Sequence, residues 1–340
     1  MTKEKLMTSI ASIAGLLALI LDSRTGLNSA REAINLCIST LIPSMFPFFI
    51  LSILLTSSLN GHPFLFLRPI GKLCRIPAGA ESLLTLGFMG GYPSGAQNVI
   101  SAWNQKSITT ADARRMVVFC NNAGPAFLFG FLGTCFDKAI YPWLIWGIHI
   151  TSALCIAVLL PGESKCSVSS NDASSISISQ ALSQSIRIIA HVCGWVILFR
   201  VILGFLDRWV FWMLPEFVKI FLSGFLEVSN GCSMLRTIIS PGLRMILASA
   251  ILGFGGICVY FQTHSIAGNL DLSMYLPGKV LHGCISFLLS SILQFLLPDS
   301  DRFFIPISLI SLILLIATVF LTILRKQEKP VAISDDLLYN

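Results

Sequence analysis

Long apolar runs alternate with short polar segments along most of the chain. A helix of about 20 apolar residues crosses the hydrocarbon core of a bilayer, and a spanning segment must pair its own backbone polar groups. The pattern therefore predicts an all-α polytopic membrane protein with about eight spanning helices. Their predicted positions are 6–22, 33–59, 113–137, 141–160, 184–206, 244–265, 279–298 and 303–325.

Two further apolar stretches, 80–104 and 212–236, are interrupted at their middles by glycine, proline or polar residues. Such an interruption is more typical of two short helices than of one spanning helix. Non-helical backbone at membrane depth is tolerated where it is buried in protein or lines a cavity. We therefore predict that each stretch is a re-entrant helical hairpin.

The predicted elements follow the same order (helix, hairpin, helix, helix) in 31–160 and again in 181–300. Each copy crosses the membrane an odd number of times, so the second copy is inverted. A serine-rich linker at 161–180 joins the copies, an N-terminal helix and loop occupy 1–30, and a C-terminal helix and cytoplasmic tail occupy 301–340. The order predicts an inverted repeat, which in transporters places the binding site where broken helices meet. Coincidence of hydropathy is the alternative.

Composition supports the membrane class and argues against others. Hydrophobic residues make up 54% of the chain and charged residues 12%, with a mean hydropathy of +0.80, whereas soluble domains carry about 25% charged residues. The net charge of +6 forms no basic patch with interleaved aromatic residues, so no nucleic-acid partner is expected. The ten cysteines lack metal-ligand spacing, and no metal or disulfide framework is expected.

Positive charges predict the orientation, because cytoplasmic loops are enriched in lysine and arginine. With both termini in the cytoplasm, the larger share of the 23 basic residues falls inside, including Arg68, Lys72, Arg75 and Lys279. The predicted location is an integral cell membrane. The first helix is short and follows a basic start, so a cleaved signal peptide is the alternative to a retained helix.

Glycine and proline end a helix in the first hairpin, where free backbone groups suit a polar or anionic ligand. The candidate substrate-binding residues there are Gly91, Tyr92, Pro93, Ser94, Gln97 and Asn98.

A second interruption lies inside the predicted helix 113–137, where Asn121 and Asn122 precede Pro125. Proline removes a helical hydrogen bond and clashes with the preceding turn. The unwound carbonyl groups suit Na⁺ or a substrate hydroxyl. Asn121 and Asn122 are therefore candidates for a cation site.

The second half contains the matching interruptions. Glu227, followed by Ser229 and Asn230, is the one glutamate in the middle of an apolar stretch. A charged residue at the bilayer centre costs about 2.5–3.5 kcal/mol for Asp, Lys or Arg, so such a residue is a functional candidate. The fourth interruption, in 244–265, supplies the candidates Gly255, Gly256 and Gln262.

Structural explanations compete with each candidate. Glycines in membrane helices commonly serve close packing, and asparagines can bond neighbouring helices. Glu227 would lie near lipid headgroups if the second hairpin were an interfacial helix. His149 and His282 are expected to pack rather than to react. Arg200 is expected to snorkel outward or to pair with Asp207, and pairing with Glu227 is the alternative.

Five motifs of the chain form a recognisable set: LIPSMFPF at 41–48, GYPSGA at 91–96, NNAGP at 121–125, LEVSNGC at 226–232 and FGGIC at 254–258. Together they resemble the bacterial sporulation integral membrane proteins that carry a nucleoside-recognition (Gate) domain. Those proteins are similar in turn to concentrative nucleoside transporters, which use two opposed hairpins and two unwound helices.

The resemblance also implies residue roles. Gln97 and Asn98 correspond to the region that contacts a base or ring, Glu227, Ser229 and Asn230 to the region that contacts a polar substrate group, and Ser94 and Asn121 to the surroundings of a cation. The chain lacks the fuller acidic and polar set of nucleoside transporters. The resemblance to the sporulation family instead implies a small metabolite such as a pyridine dicarboxylate for the spore core, whose carboxylates Glu227 would oppose unless it is protonated or paired with a cation.

The expected function is secondary transport of a small polar metabolite during sporulation. No cofactor is expected beyond a coupling Na⁺ or H⁺, and Glu227 would carry the proton in the second case. The expected partners are the substrate, membrane lipid and further copies of the chain. The alternative is a non-transporting scaffold of the spore envelope. An enzyme is not expected, because the sequence lacks HExxH, GxSxG and a pair of intramembrane aspartates.

Overall fold

A computed structural model describes residues 3–59, 67–160, 162 and 176–296. The predicted helix 303–325 and most of the serine-rich linker lie outside the described residues. Within the described ranges the secondary structure is helical, without a β-strand.

The chain begins with α1 (Lys3–Leu21), followed by α2 (Ser23–Leu36), a π-helical turn (Cys37–Leu41) and α3 (Ile42–Leu59). The sequence predicted a loop before residue 33, but α2 already begins at Ser23. The Asp22 side chain accepts a hydrogen bond from the Thr25 N–H at 3.2 Å and so caps the helix.

Both interrupted stretches form pairs of short helices. After α4 (Arg68–Leu73), the first pair is α5 (Glu81–Gly90) and α6 (Ser94–Asn104). A Cβ on either Gly87 or Gly95 would collide with the same Cys120 carbonyl oxygen. Eight residues of one helix would separate those glycines by about 12 Å, so α6 folds back onto α5.

The second pair is α11 (Glu216–Leu226) and α12 (Val228–Met234). A Cβ on Gly231 would collide with the Cα of Gly224, which a continuous helix would place about 10 Å away. The prediction of two short helices in each stretch is confirmed. Their re-entrant placement in a membrane stays a prediction.

Five helical segments of the described part are long and apolar enough to cross a bilayer. Four of them are formed by α9 (Ile140–Leu159), α10 (Ile178–Trp209), α13 with α14 (Pro241–Phe254 and Gly256–Ala267), and α15 (Tyr275–Leu296); the fifth is Ser23–Leu55. They match the predicted helices 33–59, 141–160, 184–206, 244–265 and 279–298.

Helix 6–22 corresponds to α1, which is apolar but shorter than these segments. The predicted helix 113–137 is not one helix. It consists of α7 (Thr110–Cys120), an irregular segment at 121–124, and α8 (Pro125–Gly130), followed by a 3₁₀ turn.

The helix α10 runs antiparallel to α2 and α3. Gly204 lies against Ser29, and the Arg200 guanidinium pairs with the Glu32 carboxylate at 2.5 Å. The segment that holds α13 and α14 lies at the centre, because 89% of its most apolar window is buried, against 44% for α10.

Candidate functional site

The tip of the first short-helix pair packs against the interruption between α7 and α8. A Cβ on Gly124 would lie 2.9 Å from the Cα of Gly91, closer than side chains tolerate. Gly91 also has φ +76°, a conformation that favours glycine. The two glycines therefore bring the backbone of the tip and the backbone of the break into direct contact.

The second pair meets its own broken helix in the same way. α13 ends at Phe254 and α14 begins at Gly256, and the adjoining Gly255 and Gly256 have φ of +82° and +85°. A Cβ on Gly256 would lie 3.3 Å from the Val228 amide nitrogen at the second tip. In each half of the chain, the tip of a short-helix pair thus contacts the break in the helix that follows it.

Tyr92 joins these two contacts. Its hydroxyl donates to the Leu252 carbonyl at 2.9 Å, and its ring lies 3.4 Å from a Cβ built on Gly255. Leu252 is in the last turn of α13, where carbonyl oxygens lack intrahelical donors. The first tip therefore reaches the α13–α14 break directly.

Asn121 connects three elements through its side chain, which is fully buried. Its Nδ2 donates to Thr263 Oγ1 at 3.0 Å and to the Tyr275 hydroxyl at 2.7 Å. Its Oδ1 accepts from the Ala96 N–H at 3.3 Å. Asn121 therefore ties α6, α14 and α15 together, and its predicted part in a cation site stays a prediction.

Lys279 lies beside the same break, with only 1% of its surface exposed. Its Nζ donates to the Asn121 carbonyl oxygen and to Asn122 Oδ1, the second at 3.3 Å, and lies 3.5 Å from His282 Nδ1. The predicted helix 279–298 starts at Lys279, whereas α15 begins four residues earlier at Tyr275 and places Lys279 within the helix. One signal was present in the sequence: Tyr275, Lys279 and His282 are spaced to share one helix face.

Two histidines complete this surrounding. The His149 and His282 rings stack with centroids 4.8 Å apart. His149 Nε2 accepts from the Ala123 N–H at 3.0 Å, and His282 Nε2 lies 3.2 Å from the His149 carbonyl oxygen. These distances assign the Nε2 proton to His282 and the Nδ1 proton to His149. Both histidines are buried, and both hold the break in place.

The Glu227 carboxylate is turned onto the beginning of its own helix. It accepts from the Ser229 N–H at 3.0 Å, from the Asn230 N–H at 2.7 Å and from Asn230 Nδ2 at 2.8 Å. It therefore caps α12. Within the described ranges no basic side chain pairs with it. Arg200 pairs with Glu32 and Asp207 instead, so the expected Asp207 pair forms and the Glu227 alternative was wrong.

The remaining candidates lie around the two tips. Ser94 Oγ donates to the Gly91 carbonyl at 3.0 Å, and Pro93 precedes it at the tip. Gln262 is buried, with Nε2 3.4 Å from Cys258 Sγ. Gln97 is half-buried like Asn98, and lines a separate cavity of about 430 Å³ beside the first turns of α10. Gln97 thus faces a cavity beside α10.

The described ranges contain no group of three or more His, Cys, Asp or Glu side chains that could hold a metal ion. The polar groups at the tips and breaks are hydroxyls, amides, one carboxylate, one ammonium and two imidazoles. This set suits hydrogen bonding to a small polar molecule.

No family model and no solved structure matches the chain. It is similar to the sporulation integral membrane protein YlbJ of Bacillus subtilis (strain 168). The two are 24% identical over an alignment of 313 positions, and the match covers 77% of this chain and 74% of the relative. The similarity supports a relation to sporulation membrane proteins and, with the apolar helices, an integral membrane location.

Proposed function

We propose that the chain is a secondary transporter that moves a small polar metabolite across a membrane during sporulation. The observation that carries the proposal is the meeting of two short-helix tips with two helix breaks, linked through Tyr92. The similarity to a sporulation membrane protein supports the setting. Buried polar and charged groups are costly in a membrane and are retained there for function.

The proposed mechanism is alternating access in an inverted repeat. The first half supplies α3, the α5–α6 pair, the broken helix α7–α8 and α9. The second half supplies α10, the α11–α12 pair, the broken helix α13–α14 and α15. The pairs act as re-entrant hairpins that enter from opposite faces, and rocking of one half against the other exposes the shared site to each side in turn.

The substrate would bind between the two tips, at Gly91–Ser94 and at Glu227–Asn230. The Glu227 carboxyl oxygens accept three N–H bonds at the second tip, so this tip presents hydrogen-bond acceptors to a substrate. Glu227 therefore favours a substrate that brings hydroxyl or amine donors, and disfavours a carboxylate at that tip. This chemistry moves the preference from the dicarboxylate class toward polyhydroxylated molecules of the nucleoside type.

A thermal-shift screen of the purified protein tests the proposal. The ligands are nucleosides, dipicolinate and other small carboxylates. A ligand at a hundredfold excess over its Kd adds about 2.7 kcal/mol of stability, so one class should raise the melting temperature. Glu227→Gln should abolish that shift, whereas the matched control Glu32→Gln, on the exposed surface of α2, should keep it.

Two results would count against the proposal. A flat screen with a well-folded sample would favour the non-transporting scaffold. Constant recovery of one membrane partner in pull-downs would strengthen that alternative. An unchanged ligand shift in Glu227→Gln would instead remove the site assignment.

A further inference from the structure

The break between α7 and α8 surrounds the side-chain nitrogen of Lys279, which contacts the Asn121 carbonyl oxygen and Asn122 Oδ1. We propose that the Lys279 ammonium occupies the position predicted for a coupling cation at Asn121 and Asn122, and that no Na⁺ binds there. The inference deepens the proposed function, on which its meaning for transport rests.

The break supplies the ligands that a cation needs. The last carbonyl groups of α7 have no helical donor, and the C-terminal end of a helix carries partial negative charge. Unwound carbonyls and half-helix C-terminal ends are the groups that coordinate Na⁺ in transporters with broken helices. In this chain the Asn121 carbonyl oxygen and Asn122 Oδ1 both accept from Lys279 Nζ.

The ammonium has no donor left for another ligand. It carries three N–H groups, and three acceptors surround it: the Asn121 carbonyl oxygen, Asn122 Oδ1 and His282 Nδ1. A Na⁺ at the same acceptors would stand beside a like charge in a buried environment, where repulsion is strong. Because its three N–H groups already face these acceptors, Lys279 has none left to bind a substrate carboxylate.

An ordinary buried ion pair does not explain Lys279. Within the described ranges, no carboxylate lies within 4.0 Å of its Nζ. Breaking the helix at 121–124 therefore provides the compensation that an aspartate or glutamate would otherwise give. The His282 ring is held in orientation by the hydrogen bond from its Nε2 to the His149 carbonyl oxygen, and this leaves Nδ1 facing Lys279.

The test is to remove the Lys279 ammonium by substitution and to supply small cations in solution. The full-length purified protein is melted in increasing NaCl, ethylammonium chloride or choline chloride at constant ionic strength. The wild type should show no rise specific to Na⁺. Lys279→Ala should melt lower and should recover in a saturable way with Na⁺ or ethylammonium, but not with the bulky choline. Lys72→Ala, on the exposed surface of α4, should behave as the wild type.

A Na⁺-specific, saturable rise in the wild type would overturn the inference, and this arm needs no variant to fold. Lys279→Gln is measured alongside Lys279→Ala, because its uncharged polar chain fills more of the space. Failure of small cations to stabilise a folded variant would also overturn the inference.

The two proposals, the built-in cation and the transporter, can fail independently of each other. Uptake that is driven by Na⁺ in the wild type would keep the transporter and refute the built-in cation. A protein that binds none of the screened ligands, but whose Lys279→Ala variant gains a Na⁺ response, would keep the built-in cation and refute the transporter.

Discussion

Replacement of Asn121 by alanine perturbs the centre of the proposed site. The change removes two donated hydrogen bonds, to Thr263 Oγ1 and the Tyr275 hydroxyl, and one accepted from the Ala96 N–H. Hydrogen bonds between membrane helices average about 0.6 kcal/mol and reach about 1.7 kcal/mol. Three such bonds predict a loss of about 2–5 kcal/mol, toward the upper end because the Ala96 N–H is left unpaired.

Reversible unfolding by SDS in mixed micelles measures this loss. Asn104→Ala is the matched control, because Asn104 lies exposed at the end of α6 and should change stability by less than about 0.5 kcal/mol. A double-mutant cycle with Tyr275→Phe should give a coupling of about 0.5–3 kcal/mol. An Asn121→Ala loss no larger than that of the control would refute the network, and zero coupling would refute the Tyr275 contact.

Two further substitutions test the contacts of the first tip by thermal melting of the purified protein. Gly95→Ala should lower stability by at least about 1 kcal/mol, because the added Cβ would meet a backbone carbonyl. Gly147→Ala in α9 is the control: a Cβ there meets open space, so the change should be neutral or stabilising by up to about 1 kcal/mol. Equal effects of the two substitutions would contradict the packing. Tyr92→Phe should cost about 1–3 kcal/mol because a buried carbonyl loses its donor, and an unchanged melting temperature would contradict that hydrogen bond.

The interrupted segments were predictable because their signals are local. The glycine and proline at Gly91 and Pro93 end a helix whatever surrounds them, and the Asn121–Pro125 interruption lies where α7 ends. Gly255 is a third local signal, because glycine readily adopts the positive φ that ends α13. These residues fix where the first short-helix pair and the two broken helices bend.

The surroundings of Lys279 could not be predicted in the same way. Its acceptors lie more than 150 positions earlier in the chain, at Asn121 and Asn122, so its burial depends on tertiary packing. The sequence likewise identified Glu227 as an isolated acid but not its capping of α12. The helical start at Ser23 was missed because α2 carries charged residues on an exposed face, which lowers its apolar signal.

Uptake into proteoliposomes tests the central claim most directly. Radiolabelled uridine and dipicolinate would be offered to vesicles that contain the wild type, under an imposed proton gradient and separately under an imposed Na⁺ gradient. The account predicts saturable uptake of one compound, independent of Na⁺ and lost in Glu227→Gln. Uptake equal to that of protein-free vesicles for both compounds, with folded protein in the membrane, would contradict the account.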